Sequence, residues 1–284
     1  MPSLIDIRRR IRSVKNTQQI TKAMKMVSTA RLRRAQERVI SARPYARMME
    51  EMLASVAGAA GGGELATKLP LLSVREEKRV QLILVTSDRG LAGAFNTNLI
   101  KAAQQFLDEH AGGEIELIGR KGRDHFVRRP VTVSGEITGI SGAANLAEAQ
   151  KLAVKVTNRF ISGEVDAVYI LYNEFKSILT QRVTLKRILP VAVEGASDAR
   201  DFIFEQPPEE LLARLLPDSI QLHVFGAFLE TAAAEHAARM TAMDAATTNA
   251  NEVINKLTLY MNRVRQASIT REIIEVVSGA SALE

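Results

Sequence analysis

The stretch "SVKNTQQITKAMKMVSTARLRRAQ", Ser13 to Gln36, decides how the rest of the chain is read. It is rich in Lys and Arg, carries no catalytic pattern, and repeats its apolar residues at helical spacing. Stepping alternately three and four residues from Leu4 to Val56 visits sixteen positions, of which twelve are apolar. The four polar ones, Gln18, Thr21, Lys25 and Ser28, are consecutive. There the apolar face is expected to shift to Ile20, Met24 and Val27, an offset joining two heptad stretches. Ser3 is the expected N-cap, with Asp6 three residues on in a weak capping box. At the rise of an α-helix such a rod reaches about 80 Å, long for a globular protein. Pro44 is expected to kink it or end its first part, and Gly61, Gly62 and Gly63 to terminate it.

The other end mirrors this pattern. The same steps from Met240 meet Met243, Thr247, Ala250, Ile254, Leu257, Met261 and Val264, after which the apolar face moves to Ile269, Ile273, Val276 and Val277. No proline follows Pro217, so a helix is expected from about Asp218 to Gly279. All nine methionines lie in these terminal segments, and all nine phenylalanines between Phe95 and Phe228. Two long helices with slender seams therefore flank a middle with a globular core. That middle alternates: strands at 80–87, 114–119, 131–137, 165–175 and 180–191, helices at 97–111 and 145–163. Strand–helix–strand alternation implies a mainly parallel α/β sheet, with the last two strands as an antiparallel hairpin at one edge.

Composition narrows the chemistry. The 284 residues are 46% apolar and 25% charged, ordinary for a globular chain. The absence of cysteine excludes disulfides, thiolate metal sites and thiol nucleophiles. No run of 18 apolar residues predicts a membrane span, and the N-terminus lacks the pattern of a signal peptide. The net charge is +6, unevenly spread. Residues 1–50 hold thirteen Lys/Arg against three Asp/Glu, giving +10, while 51–228 (20 against 22) and 229–284 (5 against 7) are each −2. Such a stripe seeks an acidic partner: nucleic acid, a membrane surface or an acidic protein face.

The motifs favour a protein partner. "TSDRGLAGAFN" (86–96) is a Gly-rich strand-to-helix turn of the kind that binds phosphate. It lacks both G-x-x-x-x-G-K-[ST] and G-x-G-x-x-G, so a tightly packed turn is the simpler reading, with a nucleotide-binding enzyme as the rival. His110, His125, His223 and His236 form no metal-ligand spacing, and no catalytic or metal residue is assigned. A basic nucleic-acid-binding coiled coil is the main alternative, but Tyr45 is the sole aromatic in the first sixty residues, too few for base stacking.

"IRRRIRSVKNTQQITKAMKMVSTARLRRAQ", "TSDRGLAGAFN" and "EHAARMTAMDAATTNANEVINKLTLYMNRVRQASITREIIEVVSGASAL" closely resemble the γ subunits of F-type ATP synthases, in order and along the whole chain. The resemblance implies a long antiparallel coiled coil of the terminal helices (1–60 and 209–284) plus a central Rossmann-like α/β foot (75–195). It implies no cofactor. The coil would turn inside a cylinder of α and β subunits, and the foot would dock on the membrane c-ring and hold the ε subunit. By the same resemblance, Met24, Arg239, Gln266, Thr270 and Glu272 would contact β. Val276, Val277 and Leu283 would form the bearing tip, and Phe202, Phe204 and Glu205 would face the c-ring. The cysteine insert that gates photosynthetic members is absent. With no import leader evident, a peripheral place on the cytoplasmic face of a bacterial membrane is expected.

Overall fold

A computed structural model describes residues 3–59, 69–139, 145–192 and 205–281. The first helix, α1 (Leu4–Ala59), runs for 56 residues. Ser3 caps it, its hydroxyl accepting from the Ile5 amide at 3.1 Å. Pro44 does not end α1, which runs on through it. Proline removes one helical hydrogen bond, and here tertiary packing outweighs that loss. Val39, Met49, Leu53 and Val56, on both sides of Pro44, are all buried.

The central sheet follows: β1 (Val80–Val85), α2 (Phe95–Glu109), β2 (Glu114–Ile118), α3 (Arg120–Phe126), β3 (Thr132–Ile137), α4 (Leu146–Ile161), β4 (Ala167–Phe175) and β5 (Gln181–Leu189). Strand order is β3-β2-β1-β4-β5. β3, β2, β1 and β4 are parallel, and β5 is the antiparallel edge of a hairpin with β4. All six residues of β1 are buried, as befits a central parallel strand covered on both faces. Ile83 and Val85 face a core built from α4 (Leu152, Val156, Phe160), the second half of α1 and the first part of the C-terminal helix. Phe95, Leu99, Ala103 and Phe106, at helical spacing, are the buried stripe of α2, which packs on β1 and β4.

The C-terminal helix, α5 (Pro208–Ser281), runs for 74 residues. It starts ten residues before the expected Asp218 and continues through Pro217. Pro208 opens it, where a missing amide costs nothing. Leu212, Leu216, Ile220 and Val224 are almost wholly buried at four-residue steps, and this stripe carries the helix past Pro217. α3 escaped the sequence reading because Gly122 argues against a helix; the structure uses that glycine for close approach to Thr86, whose hydroxyl accepts the Gly122 amide at 2.9 Å.

The chain forms two compact units: Met1–Ser28 with Met240–Glu284, and Thr29–Arg239. The boundaries differ from the expected three segments, since the sheet-bearing unit takes in part of each long helix. Within the first unit α1 and α5 lie antiparallel, fixed by the pairs Gln18–Asn251, Thr21–Thr247 and Lys25–Asp244.

Candidate functional site

The polar interruption in the N-terminal seam is where the structure departs most from the periodicity. Gln18, Thr21, Lys25 and Ser28 remain on the helix–helix seam. Thr21 and Ser28 are buried. The apolar face does not move to the expected side, for Ile20 and Val27 are 59% and 53% exposed, and Met24 is half-buried. α5 answers with matching polar groups. The Thr21 and Thr247 hydroxyls bond at 2.8 Å, Lys25 pairs with Asp244 at 2.6 Å, and Gln18 donates to Asn251. A buried hydroxyl left alone costs about 1–3 kcal/mol, so these partners hold the register.

Continuing that register sets Leu4 level with Val264 and Arg265. Residues 266–281 therefore extend beyond the start of α1, and by about 24 Å at helical rise. Gln266, Thr270 and Glu272 all stand exposed on this extension. So do Ile269, Ile273, Val276 and Val277, the last two at 73% and 59%. An apolar face without a helix beside it is a surface for another chain. Leu283, Phe202 and Phe204, together with Gly61, Gly62 and Gly63, lie outside the described residues. Glu205 is exposed, just ahead of α5.

Arg239 does not join this surface. It is 6% exposed and turned into its own chain. Its guanidinium pairs with Glu235 at 2.6 Å and donates to the carbonyls of Gly90 (3.2 Å) and Arg89 (3.4 Å). His236 beside it is buried, and its pKa is lowered to about 4 by burial first and then by Arg239 and Arg31. Arg239 was expected among the β contacts only through the resemblance to γ subunits. What turns it inward is the loop after β1, 149 residues away in sequence.

That loop, "SDRGLAGAFN", is occupied by bonds within the chain. Asp88 accepts from the Arg120 amide at 3.0 Å and the Gly139 amide at 3.1 Å, so a carboxylate already takes the amides offered there. Ser87 and Asn96 bond to each other across the turn. Leu91 adopts a left-handed φ of 62°, which directs its neighbours' carbonyls toward Arg239 instead of presenting amides to an anion. Among the described residues no cluster of His, Cys, Asp or Glu is fit to hold a metal, and no helix is long and apolar enough to cross a membrane.

Comparison with known proteins agrees along the whole chain. The ATP synthase family matches residues 3–283. The ATP synthase gamma chain of Solibacter usitatus (strain Ellin6076) is 59% identical over 286 residues, covering all of both chains. That of Anaeromyxobacter sp. (strain Fw109-5) is 47% identical over 293 residues, again with full coverage. Among solved structures, a chain in the rotor of Euglena gracilis mitochondrial ATP synthase matches with a TM-score of 0.66 at 20% identity, covering 94% of this chain and 98% of that one. A second, from the same organism's OSCP/F1/c-ring assembly, gives 0.69 at 19% identity, covering 99% and 94%. At such identity these structures speak for the fold alone. The nucleic-acid reading of the basic helix finds no support in any of them. An antiparallel helix pair from the two chain ends, a five-stranded α/β sheet between them and full-length kinship at 59% identity have one explanation: the chain belongs to the gamma-subunit family of F-type ATP synthases.

Proposed function

We propose that this chain is the central-stalk rotor of an F-type ATP synthase and performs no bond chemistry itself. Rotation of a membrane c-ring would turn the sheet domain and the helix pair together, and the asymmetric pair would drive β subunits through different nucleotide affinities. The observation that carries this reading is the end-to-end kinship with gamma chains. The physics is consistent with it. One charge crossing 100 mV supplies about 2.3 kcal/mol, so making ATP needs the work of several charges passed through one shaft. A continuous two-helix seam suits that task. A basic, exposed α1 face suits contacts that form and break each step, since exposed ion pairs are worth only about 0–1 kcal/mol.

The β contacts proposed here are Met24 on the seam and Gln266, Thr270 and Glu272 on the single-helix extension. Arg239 is left out because its guanidinium is engaged within the chain. Val276, Val277 and Leu283 are the proposed bearing tip. Glu205, with Phe202 and Phe204, is proposed to face the c-ring, and the sheet domain to hold ε. The complex is placed on the cytoplasmic face of a bacterial membrane.

Reconstitution tests this. The purified chain is mixed with matching α and β subunits, and ATP hydrolysis is followed. A single complex is expected, with hydrolysis that depends on this chain and falls when residues 265–284 and Met24 are altered together. Failure to form a complex under conditions where α and β assemble would sink the reading.

A further inference from the structure

Doubly wound sheets hold ligands outside the carboxyl ends of their strands, where strand order reverses. In this sheet β2 and β3 lie to one side of β1 and β4 to the other, so the reversal lies between β1 and β4. Both strand ends there are gripped by α5. At the end of β4, Glu230 accepts the Phe175 amide at 2.9 Å and two Arg43 bonds at 2.9 and 3.1 Å. Arg43 also donates to the Phe175 carbonyl at 3.0 Å. One carboxylate and one guanidinium thus close a ring of bonds joining α1, α5 and β4. After β1, Arg239 grips the Arg89 and Gly90 carbonyls and is itself steadied by Glu235.

Glu230 and Arg239 are nine residues apart, which rotates an α-helix by about two and a half turns. The two grips therefore leave α5 from opposite sides. A helix held on one side can roll about its axis, whereas one held on both sides cannot. We infer that the crevice where this fold takes a ligand serves here as a socket fixing the rotary setting of α5 on the sheet, with Arg43 and Glu230 as its positioning residues. This rests on the rotor reading for its consequence, which is that torque passes between helix and sheet without slip.

The full enzyme carrying this chain is placed in vesicles, and ATP hydrolysis and ATP-driven ion uptake are measured together. Arg43→Ala is the gentler variant, because Glu230 keeps its Phe175 bond. Hydrolysis is expected to stay within about twofold of the parent while ion uptake per ATP drops at least about threefold. The paired variant Arg43→Cys/Glu230→Cys, in a chain with no other cysteine, should be equally uncoupled. A short dithiol-reactive bridge should then restore the ratio, as a purely chemical or folding role would not. Hydrolysis and uptake falling in proportion, an unchanged ratio, or a bridge that restores nothing would each overturn the socket.

Amide exchange on the isolated full-length chain judges the socket apart from the rotor. In Glu230→Ala the Phe175 amide loses its carboxylate acceptor and should exchange at least about tenfold faster while β1 and β2 keep their protection. Unchanged exchange at Phe175 overturns the socket even if the rotor stands. A parent complex whose hydrolysis ignores this chain, with Phe175 still responding, overturns the rotor and leaves the socket.

Discussion

At Gly119 the backbone takes φ 92°, and a Cβ there would stand 2.2 Å from the Thr86 carbonyl oxygen. Thr86 cannot retreat easily. Its amide and hydroxyl both donate to Ile118, at 2.8 and 2.9 Å, and its hydroxyl accepts the Gly122 amide. Gly112 makes a matched control, with φ 89° but nothing within 4 Å of its virtual Cβ. Gly119→Ala should therefore cost about 2–4 kcal/mol, from backbone strain plus overpacking, and Gly112→Ala about 1 kcal/mol from strain alone. Urea unfolding followed by the fluorescence of Tyr169 and Tyr172 in β4 measures both. Equal losses at the two sites would show that the contact with Thr86 contributes nothing. Neither requirement is visible in the sequence, where Gly112 reads as a helix stop and Gly119 as the end of a strand.

For the elements, the informative contrast is between the paired and unpaired parts of α5. As far as Arg265 the helix has α1 beside it and polar pairs that fix its register. Beyond that point its described apolar side chains are exposed, and it gains little from burial. Long helices draw most of their stability from packing an apolar face rather than from propensity. Deleting residues 266–284 should accordingly change the unfolding free energy of the isolated chain by less than about 1 kcal/mol. Circular dichroism against denaturant would show this, and a loss of several kcal/mol would mean that the tip packs on its own chain. The deletion thereby separates a defect in partner contacts from a defect in folding.

Across the whole molecule, acid is the natural stress. His223 and His236 both have pKa values lowered to about 4. Burial is the first cause for each; Lys186 adds to it at His223 against an opposing Glu50, and Arg239 and Arg31 add to it at His236. Above about pH 6.5 both are neutral folded or unfolded, and their contribution does not vary. Between about pH 6.5 and 4 the unfolded chain binds protons that the folded chain refuses, so stability falls as pH falls and levels off below about 4. His236, 4% exposed, should account for a loss on the order of 2–3 kcal/mol across that window. His236→Leu should flatten this part of the pH profile measured by urea midpoints. A profile that rises on acidification, or that the substitution leaves unchanged, would refute the assignment.

The sequence by itself determined the two long terminal helices, the alternating middle with its antiparallel edge hairpin, and the segregation of methionine from phenylalanine that marks slender seams and a globular core. Each is a local record: a period of 3.6 or 2 states which face of an element is buried. Gln266, Thr270 and Glu272 were named by the resemblance to γ subunits and not by any period. Periodicity does not state what covers that face. Only the tertiary structure kept Gln18, Thr21 and Lys25 on the seam, because their partners sit more than 200 residues away. It carried α1 and α5 through Pro44 and Pro217, because buried neighbours outweigh one missing hydrogen bond. It turned Arg239 inward, because a loop with a left-handed Leu91 presents carbonyls to it. Polar and charged groups are placed by their partners, and in this chain many of those partners are far away in sequence.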